Sequence, residues 1–138
     1  MAQVLNDVLV ARDLTTGDAA QLKRCRSLTV STATFTVTAI HYGMTLFFTY
    51  AGAVAVTLPA AAEPLGSWFR CVNANSNTTD VTCSSPVIDT LIAKADATAD
   101  SVAFATTHRI ASSAKFISNG SKWVAMNENG ACTMTVNT

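Results

Sequence analysis

Between Met44 and Leu58 the large apolar residues fall on every second position, on both sides of a short break that contains Gly52. Met44, Leu46, Phe48 and Tyr50 alternate with neighbours that are mostly smaller or more polar, and after Ala51-Gly52 the same spacing returns in Val54, Val56 and Leu58. A period of two places every apolar side chain of a run on one face, which is the requirement of a half-buried strand and not of a helix. Two such runs around a glycine read as a β-hairpin. Pro59 stops the second strand because proline has no N–H for a ladder. Gly66 then restarts an extended segment from Trp68 to Val72.

The flanking sequence adds strands to this unit. In the stretch 28–39, Leu28 and Val30 have one parity while Phe35, Val37 and Ala39 have the other. The chain therefore breaks or bulges near Thr32–Thr34, since a one-residue shift exchanges the two faces of a strand. Short strands are expected at Val81–Cys83, Val87–Ile92, Ser101–Ala105 and Arg109–Ala111, with a polar loop at 73–77 and an exposed loop at 94–100. Asn119-Gly120 separates Phe116-Ile117 from Trp123-Val124, the strongest short hairpin signal because a type I′ turn needs positive φ twice. Asn129-Gly130 repeats the signal between Trp123–Met126 and Ala131–Val136. The whole predicts an all-β domain over 28–138, a compact antiparallel β-sandwich or barrel of short strands, preceded by an extended N-terminal arm over 1–27. Met44, Leu46, Phe48, Val54, Val56, Leu58, Phe69, Val72, Phe116 and Trp123 are the expected core.

Composition narrows the function. Charged side chains make up 13% of 138 residues, and nine basic groups cancel nine acidic ones. A neutral, charge-poor chain has no long-range attraction for nucleic acid or for an anionic membrane surface. With a mean hydropathy of +0.30, it is expected to have surface covered by other protein, most simply in an oligomer. The longest apolar run, Tyr50 to Ala62, is too short and too interrupted to span a bilayer as a helix. The start MAQVLNDVLVARD lacks the basic-then-apolar pattern of a secretory signal, so assembly in the cytosol is expected. Cys25, Cys71, Cys83 and Cys132 show no CxxC spacing, and are expected to be free thiols packed as small hydrophobes, with a late disulfide as the alternative.

Motifs for catalysis are not found: there is no phosphate-binding glycine loop, no HExxH and no GxSxG. His108 with Asp89 and some serine would make a triad only if geometry joined them, and Asp96 with Asp100 offers a cation two carboxylates and no further donors. Neither carries a prediction of activity, and no cofactor is expected. Trp68 and Trp123 both lie in strand patterns and read as core. Phe47 and Phe48 point to opposite sides of one strand, so one of them leaves the buried face. Phe47 is therefore a candidate subunit contact. The leader 1–27 has scattered apolar residues and a basic group, Lys23, Arg24 and Arg26, too little for a core of its own. It is either an arm that docks on a partner or an edge strand of its own domain.

Two phrases carry a resemblance. Val54-Ala55-Val56-Thr57-Leu58-Pro59-Ala60-Ala61 followed by Gly66-Ser67-Trp68-Phe69-Arg70-Cys71-Val72 is one; Phe116-Ile117-Ser118-Asn119-Gly120-Ser121-Lys122-Trp123 is the other. Both resemble stretches of small β-structured virion proteins of tailed phages: head decoration (capsid cement) proteins and tail-fibre or tailspike modules. A chain of this length with its own leader and no shaft repeats resembles the first class more closely. The resemblance implies a homotrimer on the outer surface of the capsid, bound to the major capsid protein where capsomers meet. The leader lies outside both phrases; its composition makes it the expected strap to the capsid or to the next trimer, with Leu5, Leu9 and Leu14 filling pockets and Arg12, Lys23, Arg24 and Arg26 also in this partner-binding arm. The alternative the resemblance leaves open is a receptor- or glycan-binding fibre module.

Overall fold

Runs of three to six residues rich in Thr, Val and Phe, cut by Gly, Pro, Asn and Ser, cannot make long strands. The computed structural model describes residues 26–60, 63–75, 80–104, 111–128 and 134–137. These form β1 (Ser27–Val30), β2 (Thr34–Thr36), β3 (Thr45–Phe48), β4 (Val54–Thr57), β5 (Trp68–Asn73), β6 (Val81–Ser84), β7 (Leu91–Ala93), β8 (Asp96–Ala99), β9 (Ser101–Phe104), β10 (Ser113–Ser118), β11 (Trp123–Asn127) and β12 (Met134–Asn137), with one 3-10 turn at Ala39–His41. One sheet has the order β1-β3-β5-β10-β11-β7-β8 and the other β12-β9-β6-β4-β2. They pack face to face as an all-β sandwich.

The first six strands alternate between the sheets, and each pairs in parallel with the strand two places on: β1 with β3 and β3 with β5 in one sheet, β2 with β4 and β4 with β6 in the other. The chain thus winds as three stacked coils. The expected hairpin at Met44–Leu58 is instead an arch, in which β3 and β4 face each other across the core from different sheets. Its five connecting residues, Thr49 to Ala53, contain no Asn-Gly or Asp-Gly pair to close a tight hairpin. The parity change at Thr32–Thr34 has the same origin, because the chain crosses there from one sheet to the other. Antiparallel pairing dominates after β6, where β5–β10–β11 and β6–β9–β12 close the sandwich; β11 with β7 is the parallel exception.

Between the sheets, a five-strand ladder Phe35–Val56–Cys83–Val102–Val136 faces Leu46, Phe48, Phe69, Phe116 and Trp123. Phe69 stacks on Phe116 at 5.1 Å and meets Trp123 edge-on at 5.2 Å. The Trp123 indole N–H donates to the Pro59 carbonyl at 3.0 Å, so the buried ring has no unpaired polar atom. Cys71 and Cys83, from opposite sheets, are free and buried; burial and then the neighbouring Cys83 push the Cys71 thiol up.

Several expectations change. Val72 is half-buried on the outer face, since Cys71 takes the inward position, and Met44 only flanks the core. Val87–Asp89 is loop, and β7 begins at Leu91. The loop expected over 94–100 is a tight turn plus β8, with Ala99 fully buried. Asn119-Gly120 does join a hairpin, but over a four-residue loop in which only Gly120 has positive φ, +90°. Asn119 acts through its side chain, whose oxygen accepts the N–H groups of Ser121 at 3.0 Å and Lys122 at 2.7 Å. Asn129-Gly130 lies outside the described residues, yet β11 and β12 belong to different sheets, so they do not form a hairpin. Of the strand expected at Arg109–Ala111 only Ala111 is described, in a turn with φ +62°.

Positive φ at two successive positions occurs instead at Lys94 (+47°) and Ala95 (+67°), between the paired residues Ala93 and Asp96. Side chains with a Cβ are strained in this left-handed region by roughly 1–2 kcal/mol each. Glycine is not, although it loses more chain entropy on folding. Ala95→Gly is expected to raise the unfolding free energy by about 0.5–1 kcal/mol, read as a higher midpoint in urea at unchanged slope.

Candidate docking surfaces

The two outward faces of the sandwich differ in chemistry. On the five-stranded sheet one cross-strand row reads Thr36, Thr57, Ser84, Ser101, Asn137, and the row beside it contains Thr34, Ala55, Thr82 and Ala103. Hydroxyls and methyls of this size are content in water and leave no apolar patch. On the seven-stranded sheet one row reads Ile92, Val124, Ile117, Trp68 across β7, β11, β10 and β5. The next reads Met126, Lys115, Arg70, Thr45, and the third Ser113, Val72, Phe47, Thr29. Seven of these twelve outward side chains are large and apolar. Alternation that buries Leu46, Phe48, Phe69, Phe116 and Trp123 would ordinarily send polar residues outward.

The charges of this face are engaged within it. Arg70 forms a two-point ion pair with Glu128, Nε to Oε2 at 2.5 Å and Nη2 to Oε1 at 2.8 Å. The Lys115 ammonium lies 4.6 Å from the centre of the Trp68 ring. The strip therefore presents aliphatic and aromatic surface, with one closed ion pair and one ammonium held over an indole ring.

The sequence-predicted residues separate into two groups. Phe47 is on this face, half-buried between Thr29 and Val72, while Phe48 has no exposed surface. Trp123 is core as expected, but Trp68 is outward; its phase in β5 is set by Phe69 and Cys71, which face in. Leu5, Leu9, Arg12, Leu14, Lys23 and Arg24 lie outside the described residues. Arg26 is described and belongs to the fold, with its guanidinium donating to the carbonyls of Ile40 and Tyr42, each at 3.3 Å. The outward apolar row could have been found in the sequence: Ile117 and Val124 flank Phe116 and Trp123, so both parities of this hairpin are apolar.

The residues weighed for chemistry are used locally. His41 Nδ1 accepts the Thr38 N–H at 2.9 Å, and its ring meets Phe35 edge-on at 5.0 Å. Asp96 accepts the N–H and hydroxyl of Thr98, and Asp100 accepts the Asp89 N–H at 2.8 Å. His108 lies outside the described residues. Among the described residues no three His, Cys, Asp or Glu side chains converge on a point that a metal ion could occupy. The chain matches no family model and no curated protein.

Proposed function

We propose that this protein is a structural virion component, a decoration or cement protein on the outer surface of a phage head that binds the major capsid protein at capsomer junctions. The observation that carries the reading is the two-faced sandwich, with an apolar strip on one sheet and a Thr/Ser face on the other. Such a brick is built to be covered on one side. Three copies meeting through the strip around Phe47 and Trp68 would form the trimer that the sequence resemblance implies. Its action is mechanical: a protein that binds only the assembled lattice stabilises that lattice by mass action. Each copy adds interface across a joint that the packaged genome strains.

Labelling of intact particles tests the location. Hundreds of copies spread over the head support the reading, and a few copies at the tail overturn it. Removing residues 1–25, which leaves Arg26 and β1 in place, is expected to give a folded trimer that no longer sediments with heads. Undiminished binding would remove the strap role of the arm. A second reading, a glycan-binding fibre module, is favoured by one feature alone: Trp68 stands on the surface with Lys115 over its ring. Saturable glycan binding that Trp68→Ala abolishes would select it.

A further inference from the structure

The winding of the chain sorts its connections by end. β1, β3 and β5 run one way and β2, β4 and β6 the other, so the crossings that leave β2, β4 and β6 for the seven-stranded sheet all lie at one end of the sandwich, while β9 crosses to β10 at the other. These are the connections 37–44, 58–67 and 85–90, and the 119–122 hairpin loop joins them there. The exposed large hydrophobic residues concentrate at the same end. Ile40 is 73% exposed, Leu65 79%, Val87 48% and Ile88 73%; of the other two, Tyr50 is at the opposite end and Met126 on the outer sheet face.

Backbone hydrogen bonds tie these connections to strands of the seven-stranded sheet. The Gly43 N–H donates to Trp68, that of Gly66 to Ser118 and that of Trp123 to Thr90, at 2.7, 2.8 and 3.0 Å. Leu65 lies beside the hairpin, its Cβ 3.9 Å from where a Cβ on Gly120 would stand. The tips serve connections that enter β3, β5 and β7, and β3 and β7 are four strand spacings apart, about 19 Å. Ile40, Leu65, Val87 and Ile88 thus form an aliphatic ridge along the entrances to β3, β5 and β7.

We infer that this ridge is the end that seats on the partner shell, its aliphatic tips entering the furrow between adjacent shell subunits; the inference rests on the decoration reading and names its contact. Three observations select a protein shell. First, the chain outside the described residues begins immediately before Arg26, which is bonded to the Ile40 carbonyl, so the 25 preceding residues leave from the ridge itself. Arm and ridge reach the same partner. Second, the cations at this end are occupied: Arg26 holds the carbonyls of Ile40 and Tyr42, and Lys122 that of Ala97. With Glu63 and Asp89 nearby in the same connections, the described residues of this end carry no basic cluster to draw an anionic bilayer; Lys23 and Arg24 lie outside them. Third, a linear ridge fits a groove, and a junction between subunits is the groove a shell offers. A second copy meeting end to end would bring ridge against ridge.

The test uses the full-length protein and heads from a phage that lacks it. Ile40→Asp, Leu65→Asp and Ile88→Asp are expected to weaken binding roughly tenfold each, and the triple variant at least a hundredfold. Trimer mass and thermal midpoint should stay as in the unaltered chain, because these side chains touch water. A triple variant that binds heads like the unaltered protein overturns the ridge and leaves the decoration reading standing. Unaltered protein that ignores heads overturns both. Retention on phosphatidylglycerol vesicles that the triple variant loses, or a fall in oligomer mass in that variant, overturns the shell in favour of a bilayer or of a second copy.

Discussion

Trp123→Ala is expected to lower the unfolding free energy by about 4–8 kcal/mol. Trp123 has no exposed surface, and its ring fills the space between Phe69, 5.2 Å away, and Tyr42, at 5.9 Å. Emptying a site of that size costs roughly 3–5 kcal/mol, because the sheets on either side cannot collapse into it. The Pro59 carbonyl then loses the indole N–H that satisfies it. A buried carbonyl left without a donor adds about 1–3 kcal/mol. Trp123→Phe separates the two contributions, since most of the ring volume stays and the donor goes; a loss of about 2 kcal/mol is expected. Urea unfolding of the three chains measures it. Equal midpoints for the unaltered protein and Trp123→Ala would show that the core is not organised around this ring. The position matters beyond its own packing, because Pro59 lies in the connection that ends β4 and leads towards the ridge residue Leu65. The indole bond holds that connection to the hairpin.

Local alternation made the strands of this chain readable, and their partners were not readable for a physical reason. Period two reports which side chains share a face; it says nothing of which sheet owns the strand. Val54, Val56 and Leu58 have the same pattern whether they fold back on Met44–Phe48 or face it from the opposite sheet. Turn chemistry decides between these, and Thr49-Tyr50-Ala51-Gly52-Ala53 carries no pair that demands a tight reversal. Asn119-Gly120 does mark a hairpin. Even there Asn119 works by capping two N–H groups and not by a positive φ. At Lys94-Ala95 the converse holds, since a tight turn with two positive φ values is made by residues that do not advertise it. The tertiary pairing of Leu91 with Ala99 and of Ala93 with Asp96 imposes it. The docking surfaces were half legible. Phe47 followed from the Phe47-Phe48 doublet, whereas Trp68 was assigned inward because an isolated tryptophan in a strand is more often core. The ridge needed the winding, because Ile40, Leu65 and Ile88 are far apart in sequence and meet only when the coils are stacked.

The doublet itself supplies the sharpest contrast. Phe48→Asp is expected to leave no folded protein, and Phe47→Asp to fold while losing its self-contact. Phe48 has no exposed surface, pairs with Val30 and Asn73 and meets Phe35 edge-on at 6.0 Å. A carboxylate there loses the aromatic contacts, about 3–5 kcal/mol, and adds several more for a charge with no cationic partner. The sum reaches the whole stability of a domain this size, about 5–15 kcal/mol. One residue earlier the side chain points away from the core, between Thr29 and Val72. A carboxylate at 47 stays hydrated, so the unfolding midpoint should move by no more than about 1 kcal/mol. What it changes is the strip, where a charge facing its own copy across a threefold contact opposes association at every joint. If the proposed trimer forms, sedimentation should therefore find Phe47→Asp folded and monomeric at concentrations where the unaltered chain associates. A folded Phe48→Asp would mean that the two phenylalanines have exchanged faces and that the register of β1, β3 and β5 is wrong. A trimeric Phe47→Asp would leave the fold untouched and move the subunit contact off this sheet.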